Sequence, residues 1–129
     1  MKDIFGIKKQ IDKINQSALT FINISEDAIN EIDEWYEEEI KEREEFDMPN
    51  PILTFFIEIN KGAYGCNEIL WQSRESKNIA TCLKSFERKI AKSEIDLNKV
   101  NVWLCYFEED ADIDYLANIN KKLYIGGKN

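Results

Sequence analysis

The chain has 129 residues, 43% of them apolar and fifteen of them aromatic, enough for one domain with a packed core and too apolar for a disordered acidic tail. Its net charge of −8 repels phosphate, which argues against nucleic acid as a ligand. It contains no histidine, so Ser-His-Asp and Cys-His catalysis and histidine-ligated metal sites are excluded, leaving carboxylate, lysine or tyrosine chemistry or oxygen-ligated Mg²⁺ as enzymatic routes.

Ile4, Ile7, Ile11, Ile14 and Ala18 recur at spacings of three and four, predicting an amphipathic helix over residues 3 to about 17 with Lys8, Lys9, Asp12 and Lys13 outward. Past Ser17 the helix either runs on or gives way to a short extended piece from Leu19 to Ile24. These first residues interleave charge with apolar side chains, unlike the core of a signal peptide. No membrane-length apolar window occurs, so a cytoplasmic protein is expected. With Lys at position 2 and no prenylation box in the last residues, no lipid anchor is expected.

The stretch from Glu26 to Asp47 holds twelve acids and two bases, a net of −10, so the rest of the chain carries +2. Ser25 can cap it, and Glu26 and Asp27 suit the positive end of a helix dipole. Ala28, Ile29, Ile32, Trp35, Tyr36 and Ile40 form one apolar stripe. Asp27, Glu31, Glu34, Glu38, Glu42 and Glu45 form a line on the other side. Like charges one turn apart, as in Glu34/Glu38 and Glu38/Glu42, each cost roughly 0.2–0.5 kcal/mol. Lys41 can offset this against Glu37, and Arg43 against Glu39. A solvated surface helix is one reading; a docking face for a basic partner is the other. The single-sign line favours the second, because mixed charge would solubilise the helix without the repulsion.

Pro49 and Pro51 end the helix. Residues 52–60 are dense in β-branched and aromatic side chains and read as an interior strand. Lys61 to Gly65 is a turn, and Asn67 to Gln72 is either a returning strand, closing a hairpin, or the start of a helix. Ser76 can cap a helix over 77–92 that buries Ile79, Leu83, Phe86 and Ile90. Its outward Lys77, Lys84, Arg88, Lys89 and Lys92 are expected to neutralise the acidic helix within the fold. Residues 101–107 are continuously apolar and predict a central strand. Asp110 can cap a short helix over 111–121 with Ile113, Leu116 and Ala117 inward, and the tail is expected to fray after Tyr124.

The expected fold is α+β: two N-terminal helices packed on a three- or four-stranded sheet with a β-hairpin, then a helix, the central strand and a short C-terminal helix. Its core should bury Phe55, Ile57, Leu83, Phe86, Trp103 and Leu104. Cys66, Cys82 and Cys105 form no C-x-x-C pair and read as reduced cysteines, with Cys82 and Cys105 in the core. Asp110, Asp112 and Asp114 imitate the start of a calcium loop, but Tyr115 stands where Gly is needed and Lys121 where a bidentate Glu is needed. Gly62 to Gly65 is no phosphate loop, yet Tyr64 at its tip can anchor an interface. No catalytic residue, metal site or cofactor is expected. The candidate binding residues are Glu31, Glu34, Glu38, Glu42, Glu45, Tyr64, Asp110 and Asp112.

Size, acidity and the absence of catalytic groups make the chain resemble, at class level, the small acidic immunity and inhibitor proteins that bacteria and phages direct against nuclease toxins or defence enzymes. Locally, Tyr64-Gly65-Cys66-Asn67-Glu68-Ile69-Leu70-Trp71 is similar to the inhibitory loop and helix of the barstar family, Tyr-Gly-Glu-Asn followed by Leu-Asp-Ala-Leu-Trp. The match covers eight residues and is one residue short before the Leu-Trp pair, so no functional residue is carried over. The class resemblance implies a protein that neutralises a basic toxin domain by occluding its substrate cleft. The alternatives are a small enzyme holding Mg²⁺ through Asp110, Asp112 and Asp114, and a regulatory subunit of an oligomer.

Overall fold

The computed structural model describes residues 2–16, 20–61, 68–93, 95–108 and 112–120. Among these residues, three helices and five strands follow in the order α1 (Ile7–Asn15), β1 (Phe21–Asn23), α2 (Glu26–Glu45), β2 (Leu53–Lys61), β3 (Glu68–Gln72), α3 (Ile79–Lys92), β4 (Asn101–Glu108) and β5 (Asp114–Asn120). The strands form one antiparallel sheet in the order β1-β5-β4-β2-β3. The fold is α+β as expected, and the continuously apolar β4 lies at the middle of the sheet. No described helix is long and apolar enough to cross a membrane.

All three helices bury their stripes on one sheet face. Ile7 and Ile11 of α1, Ile29 and Ile32 of α2, and Ile79, Leu83 and Phe86 of α3 meet Phe55, Ile57 and Ile59 of β2 and Val102 and Leu104 of β4. Strand side chains alternate between faces, so Phe56, Glu58 and Asn60 point to the other side, with Trp103 and Cys105. The sequence pattern places Trp103 in the buried core. It is instead half-buried on the opposite face, with its ring edge-on to Tyr115 at 5.7 Å.

Several boundaries differ from the sequence reading. α1 starts at Ile7 because Gly6, at φ 67, sets the entry and Asp3 accepts from the N–H groups of Lys8 and Lys9 at 3.0 and 3.1 Å. Ile4 is therefore exposed. Beyond α1 the extended alternative holds. The Asn15 side chain bonds the N–H and C=O of Ile22 at 2.8 and 3.0 Å, tying helix to strand. Residues 68–72 are a strand, which decides between the two readings of that segment and leaves no helix there for the barstar-like echo.

α3 is capped by Asn78, which accepts from Ala80 N–H at 2.9 Å, and not by Ser76. Ser76 is held by β2: its N–H and C=O exchange bonds with Phe55 at 2.9 and 2.7 Å. Across the described part of the expected 111–121 helix, residues 112–120, no helix is formed; Asp114–Asn120 is β5, which makes the sheet five-stranded. Ala117 faces Leu104 and Tyr115 faces Cys105, so Leu116 is an inserted residue at a bulge. The bulge lets the adjacent Leu116 and Ala117 both be buried, which imitates helical spacing in the sequence.

Candidate functional site

The acidic stretch is the helix α2. The Ser25 side chain accepts from Ala28 N–H at 3.1 Å, and Ile29 and Ile32 are buried. Asp33 is buried beside them. Its carboxylate accepts from the N–H groups of Asp3 and Ile4 at 2.8 and 3.0 Å, so one acid of the run secures the N-terminal segment. Glu37 pairs with Lys2 and not with Lys41, whereas Arg43 pairs with Glu39 at 3.1 Å as the sequence suggested.

Glu31, Glu34, Glu38, Glu42 and Glu45 are all exposed, and the ion pairs among the described residues include none of them. At 3.6 residues per turn they occupy an arc of roughly 80° and a length of about 21 Å. Among the described residues no ion pair joins α3 to α2, so the basic face of α3 makes no direct pair with them.

A second acidic feature adjoins this line. A cleft of about 300 Å³ is lined by Trp35 and Glu39 of α2, Leu53 of β2, Tyr106, Phe107 and Glu108 of β4, and Asp112 and Asp114 at the start of β5. The antiparallel register makes it, because Leu53 pairs with Glu108 and Tyr106 with Asp114 at one end of the sheet. Arg43 closes its wall by bonding Glu108 as well as Glu39, and its guanidinium also donates to the carbonyl of Pro49 at 3.2 Å. Burial, followed by the charges of Asp114 and Glu31, pushes the Tyr106 hydroxyl up to about 12, so the phenol stays neutral and able to donate. Asp112 thus shares a cleft with Trp35 and Glu39 of α2, and of the five glutamates Glu31 is near enough for its charge to act on Tyr106 there. Tyr64 and Asp110 lie outside the described residues.

Sequence reasoning missed Glu58. It is 1% exposed on the sheet face opposite the helices. Its carboxylate accepts from Asn60 at 2.7 Å, Tyr115 at 2.8 Å and Gln72 at 3.2 Å. An acid inside the apolar run of residues 52–60, with Asn two residues on, was the available signal. Cys105, beside it, has its thiol pushed up to about 12 by burial and then by the Glu58 charge, and burial raises Cys82 too. Neither thiol is activated as a nucleophile.

Among the described residues no three Asp, Glu or Cys side chains converge as metal ligands. The arrangement offers a dense negative surface with aromatic walls, suited to cationic side chains. No protein-family model, curated protein or solved structure matches the chain.

Proposed function

We propose that the chain is an acidic protein-binding module of the immunity type, which neutralises a basic, nucleic-acid-cleaving toxin by covering its substrate cleft. The observation that supports this most is the α2 face: five exposed carboxylates that enter no ion pair among the described residues, despite their mutual repulsion. Their spacing along the helix, about 4.5–6 Å per step, presents negative charge in a row as a nucleic acid strand does. A basic cleft built for phosphates would meet a complementary field, which speeds encounter and fixes orientation. Asp112 and the aromatic-walled cleft add further carboxylates on the Glu39 side of the same helix. The module performs no chemistry of its own; it excludes the substrate.

The test is functional. The chain, tagged at one end, is used to isolate its partner from the source cells, and the partner is assayed for nucleic acid cleavage. The expected result is stoichiometric inhibition that weakens as salt rises. A partner without nucleic-acid-directed activity, or one whose activity the chain leaves intact, overturns the proposal.

A further inference from the structure

Where α2 ends, the surface changes character. Phe46 is 70% exposed, Met48 54% and Ile52 55%, and Phe46 is the most exposed large apolar side chain among the described residues. These side chains project from an ordered turn. The N–H groups of Phe46 and Met48 donate to the Arg43 carbonyl at 3.1 and 2.9 Å, and that of Asp47 to the Glu44 carbonyl at 3.3 Å. Asp47 takes the left-handed conformation, φ 53, that lets a chain leave a helix sharply. The Arg43 guanidinium, itself held by Glu39 and Glu108, bonds the Pro49 carbonyl. The backbone of the tip is thus fixed in advance, so docking need not order it.

The surroundings select the occupant. Glu42, Glu44, Glu45 and Asp47 border the tip on the helix side, and the cleft with Asp112 lies on the Glu108 side of Arg43. An apolar centre inside an acidic rim is interface anatomy. A second copy of this chain would bring two such rims together, and an anionic membrane would repel this one. We propose that Phe46 and Met48 are the apolar anchors of this surface, seated in an apolar slot framed by lysines or arginines on a basic protein. This rests on the proposed function and adds the residues that would make the complex slow to dissociate.

Two synthetic peptides serve as probes: one of alternating arginine and leucine, and the same peptide with serine replacing leucine. The chain should bind the arginine–leucine peptide about tenfold tighter than the arginine–serine peptide. The double variant Phe46→Ser, Met48→Ser should bind both equally, at the wild-type affinity for the serine peptide. Both replaced side chains are exposed, and a circular dichroism spectrum checks that the fold is kept. If the double variant retains the preference for leucine, or the wild type shows none, the anchor assignment is overturned while the proposed function stands. If the wild type forms a dimer that the double variant loses, the patch is covered by a second copy and the assignment is again overturned. If the wild type binds neither peptide at low salt, the acidic face has no affinity for cations and both proposals fall.

Discussion

Arg43 donates to Glu108, a residue 65 positions further along the chain, while its other side bonds Glu39. One cation therefore joins the acidic helix to the end of the central strand and separates two partly buried carboxylates. Arg43→Ala leaves those carboxylates facing each other with no counter-charge and removes the donor to Pro49. The melting temperature should drop by several degrees. Arg43→Lys should recover part of the loss and no more, because an ammonium lacks the planar fork that reaches three acceptors. Thermal denaturation followed by circular dichroism checks this, and an unchanged melting temperature for Arg43→Ala contradicts it.

Asp33 offers a cleaner measure of a single buried acid. Replacing it by Ala strands the N–H groups of Asp3 and Ile4, and the loss should be about 2–3 kcal/mol in urea unfolding. Asp33→Asn keeps one acceptor oxygen and should fall between Ala and the wild type. Amide hydrogen exchange at Asp3 and Ile4 should accelerate in both variants.

High pH should weaken the fold, and the sign follows from three groups. Tyr106 is raised chiefly by burial and Tyr115 chiefly by its hydrogen bond to Glu58, both from 10.0 to about 12. Cys105 rises from 9.0 to about 12 through burial. Between the ordinary and raised values the unfolded chain has released protons that the folded chain still holds. Stability is therefore fully present below pH 9 and is lost as pH climbs towards about 12. Urea unfolding across this range checks the slope. Phenolate absorbance should show Tyr106 and Tyr115 titrating late, and Tyr115→Phe should remove one late step.

What the sequence made legible was local. Ser25 capping α2, the stripe through Ile29 and Ile32, and the continuous apolar run of β4 each follow from nearest-neighbour chemistry and are present in the fold. What it hid depends on distant pairing. Asp33 reads as one more acid of a run until the N–H groups of Asp3 and Ile4 arrive beside it. Leu116 and Ala117 read as a helical pair because a bulge against β4 buries adjacent residues. Ser76 reads as a cap until its backbone is taken up by Phe55. Trp103 reads as core, yet strand alternation turns it to the face where Glu58 and Tyr115 meet. The exposed acids of α2 were legible because their pattern is helical and local. The cleft beside them was not, since it needs the register that sets Tyr106 against Asp114.

Whether the α2 carboxylates serve a positively charged partner is decided by titrating the isolated partner with the wild type and with the triple variant Glu34→Lys, Glu38→Lys, Glu42→Lys over a range of salt. All three side chains are exposed, so the variant should fold and melt no lower than the wild type. The expected result is a wild-type affinity that falls steeply with salt and a variant affinity at least about a hundredfold weaker at low salt, a difference of roughly 2.8 kcal/mol. A folded variant that binds as tightly as the wild type, or a wild-type affinity indifferent to salt, would contradict it.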